Sequence, residues 1–133
     1  MDPLEGAGDF LAELKSLTQV VILSDTFDQF ARPLMEKLHW PTLFCNTLVI
    51  DESGAIAGYR LRQKDGKRKA VEAFKTIGLS VIASGDSYND ITMLKTANAG
   101  VLFRPPENVK AEFPELPAVD TYTDLLAEIK KHL

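Results

Sequence analysis

Hydrophobic positions along the chain alternate between helical spacing and short unbroken runs. Leu4, Ala7, Phe10, Leu11, Leu14 and Leu17 recur at three- and four-residue intervals, which predicts an amphipathic helix over residues 3–17. Residues 19–23 are a compact, β-branched run ending in Ser24-Asp25-Thr26, as in a short buried parallel strand opening onto a helix. That helix is predicted over residues 27–38, with Pro33 early enough to require only a modest adjustment. His39-Trp40-Pro41 interrupts the pattern, and residues 42–45 predict a brief further strand. Residues 47–51 and 55–61 then flank Glu52-Ser53-Gly54 as a hairpin, Gly54 supplying the positive φ of a tight connection.

Helical spacing resumes after Asp65-Gly66 through Ala70, Val71, Phe74 and Ile77, and Gly78 caps that helix. The remaining pattern predicts a strand at 79–83, a helix at 90–97, a strand at 99–103, a short helix at 109–113 and a terminal helix at 123–133. Strands alternating with helices predict an α/β fold with a mostly parallel sheet covered on both faces. No repeat or low-complexity tract interrupts it.

Composition narrows the partners more than the fold. The 133 residues, 45% hydrophobic and 26% charged, fit a single domain spanning 1–133. With a net charge of -4 and no extended basic stripe, nucleic acid is not expected as a partner. No segment has the length of a membrane span, so no membrane partner is expected either. Cys45 is the one cysteine and lies in an apolar run, which points to a buried structural thiol and a reducing cytoplasm.

Three places at strand ends carry chemistry. Ser24-Asp25-Thr26 offers a hydroxyl beside the N–H groups that open a helix, an anion site or else a simple helix cap. Lys67, with Lys64, Arg68 and Lys69 beside it, stands at a helix start, where a cation is misplaced unless something negative compensates. The alternative there is a solvated basic turn. Residues 81–90 read V-I-A-S-G-D-S-Y-N-D, an apolar strand delivering acids and an amide to the carboxyl edge of a sheet. Asp86 can reach a divalent cation, Asn89 a phosphate oxygen, and Asp90 a lysine or an ordered water.

In this order, Ser24-Asp25-Thr26, Lys67 and Gly85-Asp86-Ser87-Tyr88-Asn89-Asp90 resemble motifs II, III and IV of the haloacid dehalogenase superfamily. Within it the chain is similar to the phosphoserine phosphatase branch, including the bacterial phosphoserine phosphatase/homoserine phosphotransferase proteins, through V-V-I-L-S-D-T-F, G-Y-R-L-R-Q-K-D and A-S-G-D-S-Y-N-D. The resemblance implies a three-layer Rossmann-like core. It implies phosphate binding by Ser24, with Asp25 and Thr26 in the same turn, and by Lys67 and Asn89. Asp86 would ligate Mg²⁺. Lys67 would neutralise the phosphoryl group and the attacking carboxylate, and Asp90 would orient Lys67 or a metal-bound water. The implied substrate is a small phosphomonoester, phosphoserine.

The family also attacks phosphorus with an aspartate from a D-x-[DE]-G motif on its first strand. No such motif precedes Ser24 in these 133 residues. Asp51-Glu52-Ser53-Gly54 is loosely similar but fits a hairpin turn better, and beside Asp25 the second acid is replaced by Phe27. The chain therefore reads as the C-terminal part of a longer enzyme, without the first strand, its nucleophile or the cap, and inactive alone. A homo-oligomer or strand exchange is the expected way to fill the central strand, unless two neighbouring strands pair directly. The alternatives are a non-catalytic phosphate-binding module and a functionless fragment.

Overall fold

The computed structural model describes residues 3–60 and 65–133, which divide into two compact units, Met1–Gly66 and Lys67–Leu133. Lys64, beside Lys67 in the sequence, lies outside the described residues. Among those described, no helix is long and apolar enough to cross a membrane.

The first unit opens with α1 (Ala7–Leu17). It begins later than its apolar spacing predicts because Gly6 takes a left-handed φ of 84°, which leaves Leu4 outside the helix and exposed. β1 (Val21–Phe27) continues, with a bulge, through Ser24, Asp25 and Thr26, so α2 (Asp28–Lys37) starts only at Asp28. β2 is a single strand, Thr42–Ile50, where two pieces were expected. Its first half pairs in parallel with β1 and its second half antiparallel with β3 (Ile56–Arg60), giving the sheet order β1-β2-β3.

The strand survives the polar residue at its centre because Asn46, though buried, donates from Nδ2 to the Asp25 carbonyl at 3.0 Å. One step on, the Gln29 side chain acts as a surrogate peptide. It accepts from the Leu48 N–H at 3.0 Å and donates to the Leu48 carbonyl at 3.2 Å. The hairpin turn is tied by Asp51, whose Oδ1 accepts from Ser53 N–H, Ser53 Oγ and Ala55 N–H, and Gly54 adopts the expected positive φ of 85°. Ala31 and Met35 on the buried face of α2 and Leu38 just beyond it form a cluster packed by Leu11, Ile22 and Leu43. Cys45 is half-buried in β2.

The second unit alternates α3 (Gly66–Thr76), β4 (Ile82–Gly85), α4 (Ile91–Thr96), β5 (Ala99–Phe103), α5 (Glu107–Glu112), β6 (Ala118–Val119) and α6 (Tyr122–Lys130). Its sheet, in the order β4-β5-β6, is parallel throughout, so the α/β class with mostly parallel pairing is as the sequence predicts. Gly78 at φ 94° ends α3, with Leu79 N–H reaching back to the Phe74 carbonyl. β6 has only two residues, too few to carry a period. Val101 and Leu102 are fully buried at the centre of β5. Gly100 lets α4 lie directly on that strand, since a Cβ there would meet the Leu94 carbonyl oxygen at 2.5 Å.

Candidate active site

β4 ends at Gly85, opposite Leu102 of β5, and the chain turns at once through a 3-10 turn, Tyr88–Asp90, into α4. The turn is closed by a capping box between Ser87 and Asp90. Asp90 Oδ2 accepts from the N–H of Asp86 at 3.0 Å and of Ser87 at 3.3 Å. Its carboxylate folds back under the strand end, into space that only a glycine leaves free. A Cβ on Gly85 would lie 2.5 Å from Asp90 Cγ.

Asp90 Oδ1 accepts a hydrogen bond from Lys67 Nζ at 2.7 Å, with side-chain exposures of 18% for Lys67 and 7% for Asp90. This is the negative group that a lysine in the first turn of α3 requires, so the basic-turn alternative does not hold for Lys67. Burial pushes the Asp90 carboxyl up, but the Lys67 hydrogen bond and charge, with the Asp86 and Ser87 N–H groups, outweigh it and hold the carboxyl below its ordinary value. Asp90 is therefore an ionised carboxylate whose two oxygens are taken up by Lys67 and by the turn's own N–H groups. Arg68, by contrast, pairs along the helix with Glu72.

Asp86 and Asn89 stand on the outside of the same turn. Both are exposed, and neither side chain makes a hydrogen bond or ion pair among the described residues. The division within one hexapeptide is sharp: Asp90 is committed inward while Asp86 and Asn89 remain available for a ligand. Asp86 offers one carboxylate to a cation, and no group of three or more His, Cys, Asp or Glu side chains gathers around one among the described residues.

In the first unit, Ser24 is half-buried within β1, and its Oγ accepts from the Thr26 N–H at 3.1 Å. The Thr26 N–H is thus already paired, unlike the open donor expected of a helix start. Neither Ser24 nor Thr26 caps α2, whose N-cap is Phe27 without a side-chain cap. Asp25 is exposed on the same segment. Two supporting residues were not singled out from sequence. Ser87 has a legible signal, since Ser-x-x-Asp before an apolar helix is a capping box. Asn46 has none, because its partner lies 21 residues earlier.

The family model for haloacid dehalogenase-like hydrolases matches residues 2–98, a span that includes the Ser24 segment, Lys67 and the turn from Gly85 to Asp90. The chain belongs to the haloacid dehalogenase-like hydrolases. Among members of this family it is 57% identical over 131 residues to the phosphoserine phosphatase ThrH of Pseudomonas aeruginosa, covering 98% of this chain and 64% of that protein. It is 53% identical over 131 residues to a phosphoserine phosphatase of Pseudomonas syringae pv. tomato, covering 98% of this chain and 55% of the relative. The chain thus spans less than two thirds of each relative's length. A solved substrate-bound phosphoserine phosphatase complex superposes with a TM-score of 0.73 at 25% identity, over 96% of this chain and 62% of the other. The haloacid dehalogenase-like fold and the phosphoserine phosphatase likeness agree with the motifs.

Proposed function

We propose that this chain carries the phosphoryl- and cation-binding part of a Mg²⁺-dependent phosphomonoesterase or phosphotransferase acting on phosphoserine. The observation that supports it most is the Lys67–Asp90 pair at 2.7 Å beneath a turn whose Asp86 and Asn89 side chains are uncommitted. A lysine held rigidly by a buried carboxylate is a fixed positive charge, suited to an anion that gains charge density as a phosphoryl group transfers.

Each residue has a role in this reading. Lys67 would meet a phosphoryl oxygen, Asn89 would donate its amide to another, and Asp90 holds Lys67 in place. In the first unit the Ser24 hydroxyl would donate to a phosphate oxygen, with Asp25 and Thr26 in the same bulge of β1. Asp86 would be the protein's ligand to Mg²⁺, which keeps several waters and commonly takes only one or two carboxylates besides the substrate phosphate. When bound, that ion supplies neutralising charge for the phosphoryl oxygens.

Transfer in this family runs through an aspartate nucleophile, and no D-x-[DE]-G motif occurs among these 133 residues. The proposal is therefore that the chain binds a phosphomonoester and Mg²⁺ with negligible turnover by itself. Calorimetric titration with phosphoserine, with and without Mg²⁺, tests it alongside an assay of phosphate release. Expected are Mg²⁺-dependent binding, its loss in Asp86→Asn, and no release. Absence of binding overturns the reading. Release that Asp86→Asn abolishes, with trapping of a carboxylate by beryllofluoride, would instead reveal a nucleophile within the chain.

A further inference from the structure

The segment that carries Ser24 departs from its sheet, and something outside the ladder must hold it. Between the pairs Leu23↔Phe44 and Phe27↔Asn46, β1 advances four residues while β2 advances two. Ser24, Asp25 and Thr26 thus stand opposite Cys45 alone, two residues in excess. Peptide groups in such a bulge lose the strand-to-strand partners that regular pairing would supply.

One peptide unit within the bulge is held at both ends by side chains. The Asp25 carbonyl accepts from Asn46 Nδ2 at 3.0 Å, and the Thr26 N–H donates to Ser24 Oγ at 3.1 Å. These are the C=O and N–H of the same planar amide, the bond joining Asp25 to Thr26. Because that plane is rigid, fixing its oxygen from β2 fixes its N–H, and the N–H in turn holds the Ser24 hydroxyl oxygen. A hydroxyl that accepts through a lone pair keeps its hydrogen to donate, and among the described residues the Ser24 hydroxyl has no acceptor.

Asn46 is otherwise out of place. It is 7% exposed in the middle of Thr42–Ile50, a strand in which a β-branched or aromatic residue would suit both propensity and burial. Its Nδ2 donates to the peptide it holds. We infer that Asn46 is a positioning residue for Ser24, aiming the hydroxyl hydrogen through the Asp25–Thr26 peptide. This rests on the reading of Ser24 as a phosphate ligand given above.

The test compares Asn46→Val with Leu48→Ala, a buried residue of the same strand whose side chain is not part of this relay. Val preserves bulk and suits a strand, so the variant is expected to fold; Asn46→Ala serves as a second variant. Inorganic phosphate is titrated into isotopically labelled protein, following the amide resonances of Ser24 to Phe27, and exchange of the Thr26 amide is measured without ligand. The inference expects Asn46→Val to weaken phosphate at this segment by about tenfold, about the effect of one hydrogen bond. It expects faster Thr26 exchange in the same variant, while Leu48→Ala lowers thermal stability and leaves both readouts near wild type. Equal behaviour of the two variants, or wild-type affinity in Asn46→Val, overturns it. If phosphate moves none of these resonances in the wild type, the role given to Ser24 falls. Thr26 exchange then judges the relay alone: faster in Asn46→Val than in Leu48→Ala supports it, and equal rates overturn it.

Discussion

Lys67 and Asp90 are 23 residues apart in the chain, yet Lys67 Nζ lies 2.7 Å from Asp90 Oδ1 in the second unit. The other oxygen of that carboxylate is tied to the N–H groups of Asp86 and Ser87. One buried acid therefore joins the start of α3 to the end of β4. It sets the position of the lysine and the shape of the turn together.

Removing Lys67 leaves a buried carboxylate without its counter-charge. Lys67→Ala is expected to destabilise the protein by about 3–5 kcal/mol in urea denaturation. The double variant with Asp90→Asn should lose less than the sum of the two single changes, because they share one interaction.

The same pair sets an acid limit on stability. Burial raises the Asp90 carboxyl, but Lys67 and the two N–H groups hold it below the ordinary value of 3.8. A carboxyl depressed in the folded state stabilises fully above its unfolded value, and that contribution is lost as pH falls through the folded value. The stability difference between wild type and Asp90→Asn should be constant near neutrality and shrink below about pH 4, measured by denaturation at a series of pH values.

Two glycines separate the site from the scaffold. Gly85→Ala would place a Cβ 2.5 Å from both Asp90 Cγ and Oδ2, forcing the carboxylate away from Lys67. Gly100→Ala would meet the Leu94 carbonyl at 2.5 Å and push α4 off β5. Each overpacking is expected to cost about 1–3 kcal/mol. Only Gly85→Ala should change the carboxylate resonance of Asp90 in an NMR titration.

The Asp86 side chain makes no hydrogen bond or ion pair among the described residues. Asp86→Asn is expected to shift stability by no more than about 0.5 kcal/mol, as for other exposed changes. It should also abolish any Mg²⁺-induced change in the amide spectrum of the turn. A large stability loss in thermal unfolding would show that Asp86 supports the fold.

Asp51 belongs to a hairpin and takes no part in the proposed chemistry. Its carboxyl is held below the ordinary range by the Ser53 hydroxyl and the N–H of Ala55, against an upward push from burial, with smaller downward contributions from Ser53 and Gly54 N–H. Asp51→Ala should speed hydrogen exchange at Ser53 and Ala55 and leave phosphate binding unchanged. The protection that Asp51 gives should itself fade as pH falls through its depressed folded value.

How much could be read in the chain differs between the two units. In the second, β5 falls at the residues its apolar run predicts, α3 ends where Gly78 allows, and Gly85-Asp86 is reached directly from a strand. These are local matters: the period of apolar positions, one φ that glycine accepts, and a chain that turns where burial stops. Even there β4 starts three residues later than its apolar run predicts, at Ile82. In the first unit the same signals misplaced the end of β1 and divided β2 in two. Ser24, Asp25 and Thr26 look like a helix start because they are polar, yet they form a bulge within a strand. Asn46 looks like a break for the same reason.

Sequence alone thus determined the α/β class, the order of elements around the site, and the set of acids, amides and cations available to a phosphate. It did not determine which of them are free. Asp86 and Asp90 are chemically identical, four residues apart, and only folding decides that Asp90 meets Lys67 while Asp86 faces outward. The difference is physical. A pattern along the chain reports whether a side chain is polar, whereas its role depends on partners brought to it from distant segments, as Lys67 is to Asp90 and Asn46 to the Asp25 carbonyl.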